Sequence, residues 1–178
     1  IKAPTFKGTS FKKAMDDKYR ERSLVNHLRS VPLFATLDLE FFTHLKEHAE
    51  LISFGKNEIV CKQNEAADAF YLIRSGLVRV SQKMPLTVGA PPTYYVDKTS
   101  KKEYWMQPDG SSVEGELVRT YLKRGEFFGE IGLLQDQPRN ATCSALDALD
   151  VVKIGKEDFR VMLEKFPVVR AALEQTAK

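Results

Sequence analysis

The chain has 178 residues, with 43% hydrophobic and 29% charged residues and a net charge of +3, so it has room for one domain plus an appendage. No apolar run approaches the roughly 18 residues that a membrane-spanning helix needs, and the N-terminus has no apolar core of a signal peptide. Two cysteines, Cys61 and Cys143, are too few for a disulfide scaffold; they read as reduced thiols of a cytoplasmic protein or as one bridge.

Charge is unevenly placed. Residues 1–30 carry eight Lys/Arg against three acids, a local +5 that leaves −2 for the remainder. Residues 1–18 contain Pro4, Gly8, Thr9, Ser10 and scattered lysines, and are expected to be a flexible basic arm. The arm lacks base-reading motifs, so a solvated linker is expected and no nucleic-acid contact. The first residue is Ile rather than Met, which suggests a piece of a longer or processed protein.

A helical preface is expected over 19–50. Leu24, Val25 and Leu28 mark one helix over about 19–30, and Pro32 ends it. Asp38 is placed to cap a second, with Phe41, Phe42, Leu45 and Ala49 at helical spacing. From Ile52 the pattern turns to short strands and turns. A strand is expected over 58–63, and Asn64 after it tolerates a left-handed backbone. Two strands hinge at Gly76, with Val78 and Val80 inward and Arg79 and Ser81 outward. Further strands are expected over 117–122 and 150–154. Many short strands punctuated by glycine imply an antiparallel barrel or jelly roll.

Residues 84–116 separate two of these strands by more than a hairpin needs. The segment holds four of the eight prolines, Tyr94, Tyr95, Tyr104 and the only tryptophan, Trp105. Residues 93–96 and 103–107 can pair as an extra hairpin, so the insert is a folded flap or a partner-binding patch. Helices return over 156–178, with Phe159, Met162, Leu163 and Phe166 as one apolar stripe and Pro167 opening the last helix.

The chemistry lies in 128–143, Phe-Gly-Glu-Ile-Gly-Leu-Leu-Gln-Asp-Gln-Pro-Arg-Asn-Ala-Thr-Cys. Gly129 and Gly132 are expected to leave room for a ligand at the backbone. A helix start after Gly129 would aim free N–H groups at an anion. Arg139 offers a forked donor for phosphate oxygens, and Glu130 an acceptor for hydroxyls. One phosphate and one sugar describe a nucleotide pocket.

This segment resembles the phosphate-binding cassette of the cyclic nucleotide-binding domain family, whose pattern is roughly Phe-Gly-Glu-x-(Ala/Gly)-Leu, a short spacer, then Pro-Arg-x-Ala-(Thr/Ser)-(Val/Cys). The helical preface ending in Pro32–Phe34 is similar too. The resemblance implies a mainly β domain with flanking helices, an antiparallel β-roll over 51–155 with the insert at 84–116, within a domain spanning 19–178. It implies that Glu130 holds the ribose 2′-hydroxyl of cAMP or cGMP and Arg139 the phosphate. Gly129, Ile131, Gly132 and Ala141 would complete the cradle, with Asn140 beside the base. Leu133, Leu163 and Phe166 would relay binding to the C-terminal helix. Arg170, Val168, Val169 or Leu173 would cover the base.

The resemblance implies a regulatory role in signal transduction rather than an enzyme, with the effector domain or subunit outside this chain. A ligand-free relative serving protein interaction or dimerisation, or the sensor part of a transcription factor, is the alternative. No cofactor and no metal are expected: the three histidines, His27, His44 and His48, all precede the roll, and His44 and His48, four apart on a helix, read as solvated.

Overall fold

The computed structural model describes residues 10–84, 93–106 and 115–177. Residues 1–9 of the expected arm and all four prolines of the insert lie outside the described residues. The chain runs α1 (Ser10–Arg29), α2 (Leu39–His48), β1 (Ala49–Phe54), β2 (Ile59–Cys61), β3 (Ala69–Ser75), β4 (Val78–Met84), β5 (Thr93–Val96), β6 (Glu103–Met106), β7 (Gly115–Leu122), β8 (Phe127–Phe128), α3 (Glu130–Leu134), β9 (Thr142–Ala145), β10 (Leu149–Gly155), α4 (Lys156–Lys165) and α5 (Pro167–Thr176).

Two four-stranded antiparallel sheets, in orders β1-β10-β3-β8 and β2-β9-β4-β7, make the roll. The central strands of the first sheet, β3 and β10, are buried on both faces. Phe70, Leu72, Val152 and Ile154 face the helices, while Ala69, Tyr71, Ile73 and Val151 face the second sheet. This explains why β3 reads as an unbroken apolar run rather than an alternation. On the helical side, Phe34, Phe41, Phe42 and Phe159 are fully buried. Each contributes about 1.5–3 kcal/mol by leaving water. Phe159 stacks on Phe70 at 5.3 Å, and Phe41 packs on Phe34 at 5.0 Å.

Several expectations hold. Asp38 caps α2, accepting from Phe41 N at 3.1 Å. Asn64 adopts φ +70°, and Pro167 opens α5. Gly76 turns β3 into β4 at φ +92°, where a Cβ would strike the Ala148 carbonyl.

Others need correction. Residues 10–18, expected to be irregular, are helical: α1 begins at Ser10. Its docked end carries Leu24 and Leu28 into the core and His27 onto the roll, where Nε2 donates to Ile73 O at 3.2 Å. The expected alternation in β4 breaks as well. Its pairing with β7 slips between Val80 and Ser81, and this bulge rephases the strand. Ser81 is therefore 2% exposed, and Val80 only half-buried.

The insert does form a hairpin, β5 with β6, in register Thr93↔Met106 to Val96↔Glu103. Its turn is closed by Asp97, whose carboxylate accepts from Thr99 N at 2.8 Å and from Ser100 Oγ at 2.7 Å. No described helix is long and apolar enough to cross a membrane.

Candidate functional site

The segment after β8 turns sharply at Gly129, φ +89°, runs through the five residues of α3, and returns past Arg139 into β9. The two glycines have a packing reason as well. A Cβ on Gly129 would lie 2.6 Å from Arg139 Nη1 and 2.8 Å from Ala69 O; one on Gly132 would lie 2.7 Å from Ala67 Cβ and 2.9 Å from Gln137 O. Both spaces are filled by the protein itself. The glycines let the segment close tightly on β3 and on its own return.

Arg139 is drawn inward and is 4% exposed. Nη1 donates to Gly129 O at 2.8 Å; Nη2 donates to Ala69 O at 2.6 Å and to Asp68 Oδ1 at 2.9 Å. The guanidinium lies over the Tyr71 ring, 5.9 Å from its centroid, and Tyr71 stacks on Phe128. Burial pushes the Tyr71 hydroxyl up to about 12, with Asp68 adding to it. Arg139 Nε–H, also buried, has no hydrogen-bond partner among the described residues. A buried unpaired donor costs about 1–3 kcal/mol, so this site is one hydrogen bond short.

A cavity of about 280 Å3 adjoins it, lined by the site residues Gly129, Glu130, Ile131, Gly132, Arg139, Asn140 and Ala141 together. This is just below the usual range for small-ligand pockets. Val80, Gln82, Arg119, Thr120 and Leu122 of β4 and β7 form another wall. Glu130 is 9% exposed. Burial raises its carboxyl pKa, against the opposing pull of its own backbone N–H and the Arg139 charge. Asn140 is exposed, and its main-chain carbonyl, not its amide, is engaged, accepting from Gln82 Nε2 at 2.7 Å.

Cys61 and Cys143 are free and buried, directly opposite each other in the β2–β9 pair at this cavity. The hydrogen bond between the thiols lowers the Cys61 pKa and raises that of Cys143, which burial raises further.

Residues 106–166 match the family model of the cyclic nucleotide-binding domain. The chain belongs to this family. Over 150 residues it is 29% identical to the cAMP-dependent protein kinase regulatory subunit of Emericella nidulans, covering 84% of this chain and 29% of that one. It is 30% identical over 145 residues to cGMP-dependent protein kinase isozyme 1 of Drosophila melanogaster, covering 81% of this chain and 16% of that protein. The chain thus spans less than a third of the length of either relative. Its fold is similar to about half of the regulatory domain of Toxoplasma gondii PKA, solved with cAMP, at TM-score 0.64 and 19% identity, covering 91% of this chain and 51% of the other.

Within this family member, Asp68 and Tyr71 are site residues that sequence reasoning missed. They lie 71 and 68 positions before Arg139 and meet it only because β3 pairs with β8. An acid just before an apolar strand was the one available signal. The relay residues divide. Leu163 is buried and Leu133 half-buried in the helical core, but the Phe166 ring packs edge-on against Phe41 of α2 at 5.0 Å. Contact with the roll falls instead to Phe159. Val169 and Leu173 are fully buried among the helices, Arg170 pairs with Glu174, and neither these nor Val168 lines the cavity. Arg119 and Thr120 of β7, rather than residues of α5, line the cavity.

Proposed function

We propose that this domain binds a cyclic nucleotide, cAMP or cGMP, through the Arg139 cavity, and that binding acts on α4. The observation that carries the reading is a buried Arg139, its Nε–H without a partner among the described residues, lining one cavity together with Glu130. A cyclic phosphate supplies the missing acceptor and offsets the positive charge, and Glu130 accepts from the ribose hydroxyl. Hydroxyl donors favour the ionised carboxylate, against the burial that raises its pKa. Gly129, Ile131, Gly132 and Ala141 shape the cradle. Asn140, with its amide unengaged, sits at its rim. No cofactor or metal takes part.

The output runs through Asp68. Its side chain holds Arg139, while its carbonyl accepts from Lys156 N at 2.8 Å, the first residue of α4. Lys156 Nζ in turn pairs with Asp136 at 2.9 Å, on the cassette itself. A phosphate that draws on Arg139 competes with Asp68 and so acts on the start of α4. Leu133, Leu163 and Phe166 carry the shift into the helical core. The work available equals the ligand's difference in affinity for the two arrangements. The domain comprises residues 19–178, with α1 extending it to Ser10. It is a non-catalytic regulatory module of a cytoplasmic signalling protein whose effector lies outside this chain.

Thermal unfolding with saturating nucleotide tests the reading. Ligand at 100 times its Kd adds about 2.7 kcal/mol, which raises the midpoint by about 5–10 °C at this size. Absence of a shift with millimolar cAMP and cGMP overturns it in favour of a ligand-free interaction module.

A further inference from the structure

A second cavity, about 570 Å3 and so twice the volume of the first, lies between the β5–β6 hairpin and the roll. Its volume suits a ligand of several linked groups. Three separate stretches of chain bring lysines to it: Lys62 after β2, Lys83 at the end of β4, and Lys101 and Lys102 on the hairpin. Glu103 is the only acid among the described residues of the lining. Its carboxylate already accepts from Asn64 Nδ2 and from the Tyr94 hydroxyl. Lys62, Lys101 and Lys102 form no ion pair with any described residue.

The walls are held in place. The Gln63 side chain grips the Lys83 backbone at both ends, with Lys83 N donating to Oε1 at 2.7 Å and Nε2 donating to Lys83 O at 3.4 Å. Gln63 N donates to Thr142 Oγ1 at 3.0 Å. On the hairpin side, Asn64 Nδ2 donates to Tyr94 Oη at 3.2 Å. Asn64 sits at φ +70°, a conformation suited to Gly, Asn or Asp, of which only Asn brings an amide donor. Asn64 thus ties the hairpin to the roll through Tyr94 and Glu103.

Like charges gathered round a concavity repel one another, and the concavity focuses their field on whatever enters. Ammonium groups act as point charges with three donors each, the chemistry of phosphate capture. We propose that this cavity is an anion site for a small molecule carrying a polyphosphate chain, bound by Lys62, Lys83, Lys101 and Lys102. It is separate from the Arg139 cavity, and the proposal stands whether or not that cavity takes a cyclic nucleotide.

Calorimetric titration of the whole chain with inorganic tripolyphosphate at low ionic strength tests it. Binding should weaken at least tenfold in the double variant Lys101→Glu/Lys102→Glu. A control, Lys56→Glu/Lys123→Glu, makes the same charge change at exposed lysines outside the cavity and should stay within about threefold of wild type. ATP, which carries the same triphosphate chain, should lose affinity in the first variant as well. Asn64→Gly keeps the backbone conformation but releases the hairpin, and should weaken tripolyphosphate severalfold. No binding at millimolar tripolyphosphate overturns the proposal. So does equal loss in the two charge variants, which would show diffuse attraction, and so does retained binding in Lys101→Glu/Lys102→Glu, which would place the anion elsewhere. Binding of an acidic peptide without affinity for tripolyphosphate would also overturn it, assigning the surface to a protein partner.

Discussion

Replacing Arg139 with alanine should damage the fold before any ligand is added. The guanidinium satisfies two main-chain carbonyls, Gly129 O and Ala69 O, and reaches Asp68. Hydrogen bonds from a charged donor contribute about 1.5–3 kcal/mol each, so losing the two carbonyl partners costs about 3–6 kcal/mol. Water from the adjoining cavity can take over part of this, which favours the lower end. The Asp68 pair adds little, because that carboxylate is 66% exposed and screened. A loss near 3 kcal/mol is a large part of the roughly 5–15 kcal/mol that holds a domain together. Urea unfolding of the two proteins without nucleotide reads it directly. Calorimetry with cAMP on the folded fraction then reads binding, expected to fall by a further 2–5 kcal/mol as a buried phosphate loses its counter-charge. Arg139→Lys should recover part of the stability and little of the affinity, since an ammonium has no fork. Equal stability of wild type and Arg139→Ala would refute the inward packing of the guanidinium. Unchanged affinity would refute the phosphate assignment.

Glu130→Gln should stabilise the protein without nucleotide near neutral pH and weaken nucleotide binding. Because burial raises the folded-state pKa, the contribution of Glu130 is fully present below the unfolded carboxyl pKa and is lost as pH rises through the folded value. Urea midpoints of the two proteins should therefore converge in acid and separate towards pH 7; a constant gap would contradict this. Gly132→Ala should cost about 1–3 kcal/mol through contact with Ala67 and Gln137 O, and a neutral result in thermal unfolding would show that α3 is loosely seated. Leu133→Ala should reduce the ligand-dependent change in hydrogen exchange over α4 more than it reduces affinity; a full α4 response in that variant would remove Leu133 from the relay.

Local chemistry was sufficient for much of the fold. Asp38 suits the cap of a helix that follows it, Pro167 the start of one, and Gly76 and Asn64 are residue types that tolerate the left-handed turns they occupy. The cassette was legible for the same reason. Its residues are close in sequence, and an Arg and a Glu on one short turn–helix–turn carry their chemistry with them. The five residues of α3 and the two of β8 are too short for any periodic signal, and only the ordered pattern around them marked the place.

Tertiary structure decided what depends on neighbours distant in sequence. Nothing in residues 10–18 announced a helix, because docking of its far end, through Leu24, His27 and Leu28, anchors α1. The β4 bulge depends on its pairing with β7, across the insert. Asp68 and Tyr71 join Arg139 by strand pairing, and the lysines of the second cavity meet because the hairpin folds back on the roll. Sequence alone determined which groups could bind an anion. Tertiary structure decided that Arg139 is committed first to the Gly129 and Ala69 carbonyls, that the glycines pack closely, and that Phe166 packs against α2. Burial and hydrogen-bond satisfaction are properties of assembled surfaces, and no stretch of chain carries them by itself.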